Sequence, residues 1–588
     1  MNREKSFGII LSSLYRAFTD IRIIAFAILI LFFTVCVLSQ REKSVTVDEF
    51  AHFPAGIFTL TMRDWRMDNE SPPLVKCLPG VTAIFTAPIV PTLPSDEPPN
   101  TWTYGYRFMY DNFARYIDIF TWGRMVVILL ASIGGWLVYV FAAQLFGRWG
   151  GIVSLVLYTA NPNIIAHARL VTIDAGAAVF FLAAVFLFWK FLERMTTTSA
   201  LIAGLALGAA ELSKFTALIL IPIMLAIALT TMAQRAKLPS DEQGKSRPTF
   251  AASLCLFCLV LATCVVTINV GYLFSGTFFT LTDQVFSSDL IKGLAATPLR
   301  HLPIPLPIEY VRGFDVQMAI AQGNNPFYMG YLMGEHSMTG WWYYYLVGLL
   351  VKNPEVIWVF VAFSLFAWIT VSPRPPLRSW LCLWGIPFVF LTHFSFVTNA
   401  PIGIRFLLPI FPLLFVALGG IVRLSMIKTV WGKVLVGAML FSYCLPAVAI
   451  FPDYLSYFNS ASGGPQKGYR WLIDSNLDWG QDLPALKRYM ANNGVATVKL
   501  GYFGRVDPRI YGIDYTLAGR EIGEGIHAIS VNFLVGRPYY LLADGAVRFI
   551  DFNYFASYRS LVPQAILGNT LFIFSGDKKT EESLRSHR

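Results

Sequence analysis

Long apolar runs with few charges constrain this chain more than any other feature. They lie near residues 23–40, 121–144, 151–167, 172–190, 200–213, 215–232, 250–272, 354–371, 380–398, 404–422 and 431–450. A helix needs roughly 20 apolar residues to cross the hydrocarbon core of a bilayer. Barrel strands would alternate polar and apolar residues, which these runs do not, so the spans read as helices. Only 14% of the 588 residues are charged while 55% are hydrophobic, a balance foreign to a soluble chain of this length. The expected fold class is a polytopic α-helical membrane protein with about 11 spans.

Charge placement predicts topology. The N-terminal leader (Arg3, Lys5, Arg16, Arg22), Arg148, Lys190 with Arg194, Arg235 to Arg247, Arg374 with Arg378, and Arg423 with Lys428 and Lys433 fall in alternate connections. The positive-inside rule assigns these to the cytoplasm. The first run is expected to be a retained span, since Leu38-Ser39-Gln40-Arg41 offers no cleavage site. The net charge of +10 is thus a topology signal and does not imply nucleic acid. Cys255-Leu256-Phe257-Cys258 has metal or redox spacing, but it sits in an apolar run where packing is the simpler reading.

Residues 1–452 are expected to form the membrane domain, with large extracytoplasmic loops at 41–120 and 273–353. The first includes the Pro-rich stretch Pro88–Pro99, and the second an interfacial helix around Trp341–Tyr345. Residues 453–575 carry Gly-rich turns and short β-leaning runs at 497–503 and 527–535, and read as a small extracytoplasmic α/β domain. Residues 576–588 read as a disordered tail.

The polar residues in the first loop carry the chemistry. Asp48 and Glu49 follow the first run by about eight residues, which is expected to put them close to the membrane–water boundary. A carboxylate partly desolvated there becomes a usable general base. Asp48 is the expected base, and Glu49 would orient it or bind acceptor. His52 shares the Asp48 face if the segment is helical, and Asp-Glu-x-x-His could alternatively ligate a divalent metal. Downstream, Asp68-Asn69-Glu70-Ser71-Pro72-Pro73-Leu74-Val75-Lys76 is either an ordinary turn or a rigid presentation of Glu70 and Lys76.

Arg169, Lys214 and Arg405 stand at the outer ends of apolar runs. Snorkelling accounts for any one of them. Together they suggest an anionic lipid headgroup, although Asp174 could pair with Arg169. Further along, Gly334-Glu335-His336 adds polar groups to the second loop. The stretch Tyr469 to Asp482 is rich in Asp, Asn, Gln and Trp; it suits carbohydrate binding, or equally a capped surface loop before the helix expected at 483–492. No Walker loop, dinucleotide fingerprint or Ser-His-Asp order occurs.

Asp48-Glu49-x-x-His52, Glu70-Ser71-Pro72-Pro73-Leu74-x-Lys76, Arg169-x-x-x-x-Asp174, Gly208 to Lys214, and Arg405-Phe406-x-x-Pro409 resemble the membrane-embedded GT-C glycosyltransferases. The likeness is to the bacterial family 39 enzymes related to protein O-mannosyltransferases and aminoarabinose transferases. Tyr457-Phe458-Asn459 through Gln481-Asp482-Leu483 is similar to a subgroup of phospholipid-carrier-dependent transferases. Ser71 departs from the pattern, which often has His before the Pro-Pro pair, and the C-terminal region is unlike a β-trefoil.

The resemblance implies a multi-pass protein of a bacterial cytoplasmic membrane, N-terminus inside and C-terminal domain outside. It would transfer a sugar from a polyprenyl-phosphate donor to a lipid, glycan or protein acceptor. Lys214 and Arg405, joined by Lys76 and Arg169, would hold the phosphate. His52, Glu70, Asp174, Glu335 and His336 would contact substrate. Asp48 would take the acceptor proton as the anomeric centre inverts. No cofactor is firmly implied. The alternatives are a lipid-linked sugar flippase, for which Glu211 is the midplane candidate, and a glycan-binding scaffold.

Overall fold

The computed structural model describes residues 21–93, 99–236, 249–322, 329–397, 401–543 and 546–576. Arg3, Lys5, Arg16, the basic connection from 237 to 247, part of the Pro88–Pro99 stretch and the tail after Gly576 lie outside them. Among the described residues, eight helical stretches are long and apolar enough to cross a bilayer, and shorter apolar helices cover Pro73–Thr86, Thr197–Glu211 and Ile357–Thr370. The protein is a polytopic α-helical membrane protein.

The runs near 121–144 and 151–167 differ from expectation. Tyr116–Thr159 is one helical stretch bent at Gly147, whose φ of 79° is available to glycine at little cost. A separate short helix, Pro162–Ala168, follows, capped by the Asn161 side chain. Small residues set the close helix contacts. A Cβ on Gly204 or Gly208 would stand 2.5 Å from Val260 O or 2.4 Å from Thr267 Cβ, so Thr197–Glu211 lies against the backbone of Phe250–Gly271.

One end of the bundle gathers basic connections. Lys190 and Arg378 stand 3.5 and 3.9 Å from Glu193, and Arg235 donates to the Leu192 and Glu193 carbonyls. The other end carries the polar loops. Residues 41–120 fold into the helices Val47–Met62, Pro73–Gly80 and Thr101–Asp111. Gly56 lets the first two touch: a Cβ there would lie 2.0 Å from Lys76 O. In residues 273–353, Ile308–Ala321 and Tyr344–Val351 are helical, and β1 (Gly330–Leu332) pairs antiparallel with β2 (Glu335–Ser337).

The C-terminal region contains β3 (Val498–Gly501), β4 (Tyr515–Leu517), β5 (Ile526–Ser530), β6 (Tyr539–Ala543), β7 (Ala546–Ile550), β8 (Ala565–Leu567) and β9 (Leu571–Ser575). A mixed sheet of order β4-β3-β5-β9-β8 is parallel across β4-β3-β5 and antiparallel from β5 to β8; β6 and β7 form a separate hairpin. Leu483, Leu486 and Met490 of the helix Leu483–Asn492 pack against Val498, Leu500 and Ile573 of this sheet.

From Leu472 to Asp482 the stretch before that helix is buried and offers neither a carbohydrate-binding surface nor an exposed loop. Ser475, Asn476, Asp478, Trp479, Gln481 and Asp482 are buried, and their polar groups bond within the protein. Asn476 Oδ1 accepts from Ile404 N at 2.9 Å, Ser475 Oγ donates to Ile402 O at 2.8 Å, and Ser44 N donates to Gln481 O at 2.9 Å. Lys352, buried against the Phe458 ring, donates to the Leu455 and Asn476 carbonyls. Lys43 bridges Asp453 and Asp482. A segment so rich in polar side chains avoids a desolvation penalty by stitching the C-terminal region to the polar end of the bundle.

Candidate active site

Asp48 sits in the first turn of Val47–Met62, where the loop after the first span reverses. Glu49, next to it, faces the other way. Its buried carboxylate accepts from Arg124 Nε and Nη2 at 2.7 and 2.6 Å, from Val171 N at 2.8 Å and from Thr46 N at 2.9 Å. Arg124 also donates to the carbonyls of Gln40, Lys43 and Ser44. This pair locks the loop and leaves Glu49 no free lone pair directed at a substrate. Arg124, alone in an apolar run, was its signal in the sequence.

Asp48 opens onto a cavity of about 370 Å³ that also takes in His52, Glu70, Asp174, Lys214 and Arg405. These residues come from four distant parts of the chain. Arg405 pairs with Asp48 and lies 3.6 Å from Asp174 Oδ2. Lys214 Nζ donates to Asp174 Oδ1 at 2.6 Å. The guanidinium of Arg405 rests on the Trp479 ring at 4.5 Å, and Lys214 Nζ stands 4.7 Å from the Phe406 ring centre. Two cations thus converge on one wall, each held by a carboxylate. Asp174 Oδ2 and Arg405 Nε, both buried, have no hydrogen-bond partner, so the wall retains unused polar capacity.

Behind Asp48 lies a second network. His52 Nε2 is 4.0 Å from Asp48 Oδ2, and its Nδ1 is 2.8 Å from Asp68 Oδ2. Ser71 Oγ donates to the same Asp68 oxygen at 2.9 Å. Lys76 is buried, 3.3 Å from that oxygen, and donates to the Asp68 and Ser71 carbonyls. Burial alone would lower the pKa of His52, but the charge and hydrogen bond of Asp68, with Asp48 behind them, raise it. Burial pushes Asp68 upward, yet Lys76 and His52 hold its carboxyl well below the usual range. Glu70, at the cavity rim, is moved upward by desolvation and by the Asp68 and Asp48 carboxylates.

The remaining expected residues lie elsewhere. Lys76 does not line the cavity; it braces Asp68. Arg169 is buried against Ser39 O at 2.8 Å and the Tyr454 ring, and its expected partner Asp174 pairs with Lys214 and Arg405 instead. Glu335 is exposed on β2, and His336 lies between Tyr331 and Phe552 beside a different cavity. Glu211 is buried and accepts from Tyr310 OH at 3.0 Å. Among the described residues no group of three His, Cys, Asp or Glu side chains is placed to hold a metal ion; Glu49 is turned onto Arg124 and His52 onto Asp68.

Sequence reasoning passed over Asp68, although it begins the polar stretch that contains Glu70 and Lys76. It also missed Phe314, Gln317 and His393, which line the cavity from helices with no local motif. The apolar side of the cavity is formed by Leu218, Ile219, Phe314, Met318, Phe394 and Ile402.

A family model described as dolichyl-phosphate-mannose-protein mannosyltransferase matches residues 120–275. No curated protein matches the sequence. Among solved structures, the chain is similar to ArnT from Cupriavidus metallidurans bound to undecaprenyl phosphate, with 12% identity, 89% of this chain and 96% of that chain covered, and a TM-score of 0.44. It is also similar to the archaeal oligosaccharyltransferase AglB from Archaeoglobus fulgidus in complex with an inhibitory peptide and a dolichol-phosphate. That likeness has 11% identity, covers 93% of this chain and 76% of that chain, and has a TM-score of 0.44.

Proposed function

We propose that this protein is a membrane glycosyltransferase that moves a sugar from a polyprenyl-phosphate donor to an acceptor at the outer membrane face. The observation that carries the reading is the convergence of Lys214 and Arg405 with Asp48 in one cavity that has an apolar side. A phosphate carrying a hydrocarbon chain matches both halves of that lining. The match of residues 120–275 to a family of lipid-phosphate-dependent mannosyltransferases supports it.

In this mechanism the donor phosphate enters beside Lys214 and Arg405 and draws the guanidinium from Asp48. The freed carboxylate accepts the proton of an acceptor hydroxyl or amine. The acceptor atom bonds to the anomeric carbon as the bond from that carbon to the phosphate oxygen breaks. The electron pair leaves with the lipid phosphate, which the two cations stabilise, so no separate general acid is required. Attack from the face opposite the phosphate inverts the anomeric centre. His52, held by Asp68, keeps the Asp48 side of the cavity in place. Lys76 acts through Asp68 rather than on the phosphate.

The test uses the full chain in nanodiscs with a panel of undecaprenyl-phosphate-linked hexoses and pentoses and membrane extract as acceptor. Release of undecaprenyl phosphate by the wild type, and its loss in Asp48→Asn with lipid binding intact, is the expected result. Equal release by both proteins would overturn the reading.

A further inference from the structure

A second cleft, of about 590 Å³, lies between the helix Thr101–Asp111 and the C-terminal region. Its lining differs in kind from the catalytic cavity. Trp102, Tyr106, Tyr110 and Tyr540 contribute aromatic surface, while Asn100 and Asp111 add hydrogen-bonding groups. Asn100 Oδ1 is committed to capping the helix, accepting from Trp102 N and Thr103 N at 3.0 Å each, which leaves its amide nitrogen as a donor.

Arg505 distinguishes the cleft. It lines the cavity yet is only 7% exposed. Its guanidinium stands 5.0, 4.8 and 4.9 Å from the ring centres of Trp102, Tyr539 and Tyr540. Its hydrogen bonds, to Tyr539 OH and Tyr106 OH, are both long at 3.4 Å. Among the described residues it has no carboxylate partner, and Nη2 has no hydrogen-bond partner. A nearly buried cation supported only by aromatic rings and two long hydrogen bonds is an incomplete pair. The missing member is an anion reaching it from the cleft.

Aromatic faces beside hydrogen-bonding side chains suit the C–H faces and hydroxyls of a sugar ring, and the cation selects for an acidic one. We propose that this cleft is a saccharide-binding site for a glycan bearing a negatively charged group, separate from the site where Asp48 acts. It shares a layer with that site: Phe50, two positions after Asp48, stacks on Trp102 with ring centres 6.5 Å apart.

Isothermal titration of the full chain in nanodiscs with trigalacturonate, maltotriose and an acidic hexapeptide tests this. Trigalacturonate is expected to bind saturably, and maltotriose and the peptide at least about tenfold more weakly, as befits a charge-assisted contact added to stacking. Arg505→Met and Trp102→Ala should each weaken trigalacturonate binding by about tenfold or more, with unchanged undecaprenyl phosphate binding as the control for folding. Trp102 lies at the surface, so its variant reports even if loss of Arg505 disturbs the fold. Absence of saturable trigalacturonate binding, equal binding of maltotriose or peptide, or full affinity in Trp102→Ala would overturn the proposal.

Discussion

Arg405 and Asp48, 357 positions apart in the chain, form an ion pair in the lining of the candidate cavity. In the proposed mechanism the pair holds the candidate base until a competing anion arrives. Loss of Asp48 therefore has a defined consequence. Asp48→Asn is expected to reduce turnover by about a hundred- to ten-thousandfold, the range for removing a general base. Single-turnover measurements with donor in excess check this, because they separate the chemical step from lipid binding.

Lys214 bonds to Asp174 at 2.6 Å and shares it with Arg405. Lys214→Met leaves a buried carboxylate facing Arg405 and removes one phosphate ligand. Affinity for undecaprenyl phosphate should fall by roughly tenfold to a hundredfold, as for one charge-assisted hydrogen bond. Native mass spectrometry in nanodiscs reads the affinity. An unchanged value would remove Lys214 from the phosphate site.

The His52–Asp68 pair gives stability a pH signature. His52 titrates above its usual value of about 6.5, because Asp68 and Asp48 favour its protonated form. Its contribution is fully present below the unfolded-state pKa and is lost as pH rises through the raised folded-state value. The thermal stability advantage of the wild type over His52→Gln should therefore shrink on going from about pH 6 to pH 9. Melting temperatures of both proteins across that range test the sign.

Glu49 is expected to be a stability residue. Glu49→Gln leaves the buried Arg124 without its charge partner, and breaking one side of a buried pair costs about 3–5 kcal/mol. The variant should melt earlier. Turnover per folded molecule should stay closer to the wild type than in Asp48→Asn.

Much of the site was legible because its chemistry breaks the rule of the surrounding sequence. Charges such as Asp48, Lys214 and Arg405 interrupt apolar runs at their ends, and that signal survives without knowledge of the fold. The same signal misled at Arg169, since a helix-end cation can satisfy itself on a carbonyl, here Ser39 O, as readily as on a ligand. Glu49 and Asp48 are neighbours in sequence, but one helical residue step is about 100° of rotation, which sends one into the cavity and the other onto Arg124. The role of Asp68 depends on meeting His52 across a loop, and Arg505 meets Trp102 across about two thirds of the chain. Spacing along the sequence cannot report such pairings. Several helix ends lie close to those read from hydropathy, whereas the bend at Gly147 follows from a single dihedral angle.

Trp479 belongs to the buried 474–482 stretch, and the guanidinium of Arg405 lies on its ring. The indole that props this cation thus comes from chain lying beyond the last apolar helix. Deleting everything after that helix would remove the ring that backs Arg405, a lining residue of the candidate cavity, and exchanging the portion for that of another protein would move the cation. On the proposed function, activity and the polar C-terminal region must be inherited as one unit.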